Sequence, residues 1–222
     1  MLFLTRVLAF AMLIIEILVI GEFPFAPKQV SILTFLAVGA PALVLAAWAY
    51  PGTMEEKRKQ RALWEFVLPA PLMIGVMGLF VYIGEYLATV YEGVPIPVRQ
   101  TIKQGIHSGG LKVSEIIARM SAQTALTTFT LLCGILLIVF VEPPSKFWVG
   151  SHAVRKDKRI VMLALVMFIA YVLLLAIPPL RNLFDLELLG FNDYLLIALL
   201  VVLWIFAVRW AWRARLLERF LS

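Results

Sequence analysis

The sequence predicts an all-α integral membrane protein with six transmembrane helices and both termini on the cytoplasmic side. Three observations lead there. Of 222 residues, 62% are hydrophobic, and the mean hydropathy is +0.94, whereas soluble domains are about 45–50% apolar. Six long apolar runs follow one another: Leu2–Ile20, Val30–Tyr50, Leu63–Ala88, Thr124–Val141, Ile160–Pro178 and Tyr194–Val208. The basic charge of the segments between them alternates.

Each run is a candidate span because a bilayer core of about 30 Å takes about 20 helical residues. At that length only helices satisfy their backbone inside lipid. The first run begins with Met1 and Arg6, like a secretory signal. It is followed by Gly21-Glu22-Phe23-Pro24-Phe25 rather than a small-x-small cleavage site, which favours an uncleaved span. The last run reaches full length when Trp210 and Trp212 are counted as interfacial residues.

Orientation follows from charge. Lys57, Arg58, Lys59 and Arg61 follow the second run. Lys146, Arg155, Lys156, Lys158 and Arg159 follow the fourth, and Arg209, Arg213, Arg215 and Arg219 close the chain. Only Lys28 follows the first run and only Arg181 the fifth. The segment after the third, with Arg99, Lys103, Lys112 and Arg119, is the exception. It is long, and long loops translocate with less regard to charge. Aromatic residues agree: Trp48, Tyr50, Trp64, Trp210 and Trp212 mark the inner interface, Tyr86 and Tyr91 the outer.

The chain therefore divides into a transmembrane hairpin, residues 1–50, and four further helices in 51–222, with an exofacial loop near 91–123. Within that loop Leu111–Met120 reads as a short helix of its own. The formal charge of +6 does not point to nucleic acid, because the basic residues sit at helix ends where orientation and anionic lipid place them. Cys133 is the only cysteine, so no intrachain disulfide forms. His107 and His152 fall on opposite sides of the membrane and share no metal.

Proline and polar residues inside the spans are the candidate functional features. Pro41 follows Gly39-Ala40 in mid-span, where its missing N–H interrupts the helical ladder at the level of Gly39. The freed carbonyls either face an ion or mark a packing kink. Pro69 and Pro71 predict a bend near the inner end of the third helix. Glu16 is an intramembrane acid in the outer half of the first helix, a functional position by default or one that snorkels outward or pairs with Lys28. Gln123, Thr127 and Thr130 lie on one helical face, widened by Thr124 and Thr128. That stripe either contacts an ion or bonds a neighbouring helix. Arg6 serves either orientation or counter-charge.

Residues 21–47, GEFPFAPKQVSILTFLAVGAPALVLAA, carry a resemblance. Pro27-Lys28-Gln29 and Gly39-Ala40-Pro41-Ala42 resemble the hairpin between the fifth and sixth transmembrane helices of P-type cation-transporting ATPases, in a bacterial branch. Ala122–Leu132 resembles the start of that family's eighth helix and Val141-Glu142-Pro143-Pro144 its inner end. Ala176–Arg181 resembles the outer end of the ninth.

The resemblance implies the last six helices of a pump, in the inner (plasma) membrane. Its partners would be the bilayer, a cation and the catalytic half of the ATPase. No Asp-Lys-Thr-Gly phosphorylation motif or Thr-Gly-Glu loop occurs in the sequence, so these residues alone are not expected to hydrolyse ATP. No cofactor is expected in this chain, with ATP and Mg expected only for the complete pump. The alternative is a stand-alone structural or accessory membrane protein that associates with a pump. In calcium-type members, ligands stand five, two and one residues before the motif glycine. Those positions here are Thr34, Ala37 and Val38, so only Thr34 keeps a polar oxygen. The family's fifth-helix ligand positions fall near Arg6 and Ala9, and the arginine is similar to a built-in counter-charge.

Overall fold

The computed structural model describes residues 17–18, 21, 23–48, 69–92, 113–140 and 159–214, and every described regular element is helical. The hairpin's second helix consists of α1 (Pro27–Thr34), a π-helical turn (Phe35–Gly39) and α2 (Ala40–Trp48). Then follow α3 (Pro69–Glu92), α4 (Val113–Phe140), α5 (Arg159–Ala176), α6 (Pro178–Leu183) and α7 (Phe191–Ala214). Among the described residues, five stretches are long and apolar enough to cross a bilayer: Pro27–Val44, Ala70–Tyr91, Glu115–Val139, Arg159–Ala176 and Phe191–Ala211. The first apolar run, with Arg6 and Glu16, lies outside the described residues apart from residues 17–18.

Helix α4 is the axis of the bundle. Its span is 61% buried, against 22–28% for the other four. One face of α4, with Ala125, Phe129 and Cys133, packs against Ala70 and Val81 of α3 and against Ile197, Val201, Trp204 and Val208 of α7. Another, with Leu131 and Ile135, packs against Ile32 and Leu36 of the hairpin and against Ala164 and Tyr171 of α5. The remaining faces of α5 and α7 expose Val161, Met162, Leu165, Leu195, Leu199 and Phe206, apolar side chains whose natural solvent is lipid.

One expected element is corrected. The short helix expected over Leu111–Met120 is not separate. It is continuous with the span, because Ser121-Ala122-Gln123 contains no breaker and Ser121 and Ala122 are buried in the helix packing. The resulting 28 residues rise about 42 Å at about 1.5 Å each, more than a bilayer core of about 30 Å. Within the expected exofacial loop near 91–123, residues 113–123 are helical and residues 93–112 lie outside the described residues. Pro69 and Pro71 lie at the edge of the described part of α3, and the bend expected there falls partly outside the described residues.

The α5–α7 connection is built by local signals. Ile177 breaks α5 with an extended backbone, and Pro178-Pro179 start α6. Asp185 then takes a left-handed conformation, φ 50°. Leu186 N–H bonds the Arg181 carbonyl at 3.1 Å and Asp185 N–H bonds the Asn182 carbonyl at 3.3 Å. This is the double closure that ends a helix on a left-handed residue, a place where aspartate is better tolerated than most side chains. Asp193 accepts from Gly190 N–H at 2.8 Å and caps the start of α7.

Candidate functional site

The site begins at the π-helical turn. The Ala40 N–H bonds the Phe35 carbonyl, five residues back, instead of Leu36, four back. The next residue, Pro41, has no N–H to give. Neither helical register therefore supplies a donor to the Leu36 carbonyl. The turn sits inside the Pro27–Val44 span. Irregular backbone at membrane depth is tolerated where it is buried in protein or lines a cavity, and transporters use such carbonyls for cations.

The residues around this turn divide by side. Ile32, Leu36 and Pro41 are buried. Thr34, Phe35 and Val38 are exposed on the other side, and Gly39 is partly buried. A Cβ on Gly39 would stand 3.4 Å from the Thr34 carbonyl. Thr34, Gly39 and Pro41 thus share one short stretch of helix. Helix α4 backs it closely: a Cβ on Gly134 would stand 2.8 Å from Ala37 Cβ.

The polar stripe of α4 lies toward the hairpin turn and meets different partners. Gln123 Nε2 donates to the Phe23 carbonyl at 3.1 Å. Thr127 Oγ1 donates to Gln29 Oε1 at 3.0 Å. Thr124 Oγ1 accepts from Glu187 N–H at 3.1 Å. Thr128 Oγ1 donates to the Thr124 carbonyl and shares a 2.7 Å hydrogen bond with Tyr171 Oη. Gln123 and Thr127 therefore bond the hairpin turn. Thr130 is only partly buried on α4.

Several residues in this network were not among the site residues expected from the sequence. Gln29 is 0% exposed, and its Nε2 donates to the Asp185 carbonyl at 2.8 Å. Its Oε1 also accepts from Ala26 N–H at 3.4 Å. Lys28 Nζ and Asp185 form an ion pair at 3.0 Å, with side chains 56% and 42% exposed. Such an exposed pair contributes little energy, about 0–1 kcal/mol. Burial raises the Glu187 carboxyl above the usual carboxylate range, and Arg181 opposes that rise. Gln29 had a local signal, the Pro-Lys-Gln turn, whereas Asp185 and Glu187 lie more than 150 residues away with none. Glu85 was also passed over, although it is an acid within the α3 span. Among the described residues, no three His, Cys, Asp or Glu side chains form a metal site.

The interrupted span, the α4 axis and the hairpin turn lie within a family match over almost the whole chain. The model for the C-terminus of cation-transporting ATPases matches residues 3–214. The chain belongs to this family. It is the membrane portion of a cation-transporting ATPase, and a multi-pass membrane protein. No curated protein and no solved structure matches it. In this chain the π-helical turn leaves the Leu36 carbonyl without an α- or π-register donor, and the hydrogen bonds of Gln123 and Thr127 hold the hairpin turn to α4.

Proposed function

We propose that these helices form the ion-pathway part of a P-type pump and act with a catalytic half that supplies ATP hydrolysis. The observation that carries this is the π-helical turn Phe35–Gly39, followed by Pro41. Single-turn π segments inside helices are frequent at functional sites. The cation would be held by the Leu36 carbonyl and the Thr34 oxygens, with further ligands from helices packed on the exposed side of Thr34. Arg6 and Glu16 remain pathway candidates on the hairpin's first helix.

The test is ATP-driven uptake by vesicles that hold the chain with its catalytic half, screened across Ca²⁺, Mg²⁺, Mn²⁺, K⁺ and Na⁺. Pro41→Leu supplies an N–H that can reach the Leu36 carbonyl in the π register, and Thr34→Val removes a hydroxyl while keeping its shape. Each is expected to weaken apparent cation affinity about tenfold, the equivalent of ~1.4 kcal/mol, with membrane insertion unchanged. Glu16→Gln is expected to do so only if it lines an exit path. Normal uptake by all three variants would place the ion route elsewhere.

The proposed orientation has its own check. In intact cells an impermeant thiol reagent is expected to label a cysteine placed at position 105 and to spare cysteines at positions 57 and 152. Labelling of the latter two from outside would overturn the placement of both termini in the cytoplasm, and with it the plasma (inner) membrane topology proposed here.

A further inference from the structure

We infer that the outer half of the hairpin's second helix is clasped to the body of the bundle through Gln29, so that displacement of this helix is confined to the part inward of the π-helical turn. The clasp joins three elements distant in sequence. Gln29 Nε2 donates to the Asp185 carbonyl of the α6–α7 connector at 2.8 Å, and Gln29 Oε1 accepts from Thr127 of α4 at 3.0 Å. The same connector is tied to α4 again by Glu187 N–H and Thr124 Oγ1 at 3.1 Å. The Lys28–Asp185 ion pair closes the outside.

The asymmetry is energetic. Gln29 is wholly buried, so breaking one of its clasp bonds while it stays buried costs about 1–3 kcal/mol for each polar group left unpaired. The left-handed backbone of Asp185 fixes the direction of the carbonyl that Gln29 uses. Inward of the clasp, the ladder is already broken. The Ala40 N–H is shifted to Phe35, Pro41 donates nothing, and sharp helix bends concentrate at prolines and π-helical turns. The weakest section of the helix therefore lies next to its most firmly held section. The consequence for a transport cycle rests on the pump reading above, whereas the clasp itself does not.

The experiment uses spin-label distances in the full chain, held in nanodiscs of phosphatidylethanolamine and phosphatidylglycerol. The outer pair is Val30→Cys with Leu188→Cys, and the inner pair is Leu43→Cys with Met162→Cys. All four positions are exposed and none belongs to the clasp, while Cys133 is fully buried and stays unlabelled. The outer pair is expected to give one narrow distance and the inner pair a distribution about twofold broader. Gln29→Leu keeps the bulk and removes the two clasp bonds, to Asp185 and Thr127, together with the local one from Ala26 N–H. It is expected to broaden the outer pair about twofold. Thr127→Val, which removes one bond, serves if that variant does not fold and is expected to broaden the same pair by less. An outer pair as broad as the inner one in the unmodified clasp, or one that stays narrow in both variants, overturns the inference. With the catalytic half and ATP added, the outer distance is expected to hold, and a shift there would overturn the confinement. Absence of ATP-driven uptake would count against the pump reading alone, because the two ATP-free distributions still decide the clasp.

Discussion

Trp204→Ala is expected to lower the unfolding free energy by about 3 kcal/mol, near the lower bound for removing a large buried aromatic. Trp204 is 0% exposed in α7 and packs with Phe129 and Cys133 of α4 and with Ala70 and Val81 of α3. Lipid tails are as apolar as leucine, so transfer out of water adds little to this packing. The loss comes from dispersion contacts and from a void that rigid helices fill only in part. The indole Nε1 is buried without a hydrogen-bond partner among the described residues. Trp204→Phe is therefore expected to recover more than half of the loss, since it removes the unpaired donor as well as some bulk. Denaturation in mixed detergent micelles measures both. A cost under about 1 kcal/mol for the alanine variant would mean that α7 does not depend on this contact.

The second large effect is expected at Gly134. An alanine there would bring its Cβ within 2.8 Å of Ala37 Cβ, which is attached directly to the π-helical turn and cannot rotate away. Overpacking of this kind costs about 1–3 kcal/mol, while the alanine gains up to about 1 kcal/mol in helix propensity. The net result is expected to be destabilising and to displace the hairpin from α4. Two other glycines calibrate the series. A Cβ on Gly78 meets the end of the Leu126 side chain at 2.8 Å, which has torsions with which to yield, so Gly78→Ala is expected to be milder. A Cβ on Gly84 meets nothing within 4 Å, so Gly84→Ala is expected to stabilise by about 0.5–1 kcal/mol. Ala37→Gly in the Gly134→Ala background is expected to restore stability, and a double-mutant cycle over the two positions reads the coupling directly. Equal effects at Gly134 and Gly84 would show that α4 and the turn are not in close contact.

Both expectations depend on a helix whose role the sequence conceals. Hydropathy marks Thr124–Val141 as one span among several, and its apolar content resembles that of its neighbours. Its burial on nearly every side is a property of the other helices' positions. The same limit applies to the polar stripe. Periodicity shows that Gln123 and Thr127 share a face, but a periodicity of 3.6 names no partner. The partners are the Phe23 carbonyl and the Gln29 side chain.

Other features were legible because their causes are local. Four apolar runs, from Val30, Leu63, Ile160 and Tyr194, overlap spans found among the described residues. The mid-span interruption was readable from Gly39-Ala40-Pro41, since a missing N–H acts within one helical turn wherever it occurs. The end of α4 was misplaced for a local reason as well: a polar Ser121 and Gln123 read as loop, yet nothing in them stops a helix.

By itself, then, the sequence determined the all-helical membrane architecture, the spans that hydropathy and length define, the broken ladder before Pro41 and the family motif that contains it. Each depends on composition or on neighbours within a few residues. Tertiary structure alone decided that α4 is the axis, that Gly134 meets Ala37, and that Gln29 is held by Thr127 and by the Asp185 carbonyl. Those contacts join residues about 100 or more positions apart. Their geometry comes from how whole helices pack, and no local pattern of residue types encodes it.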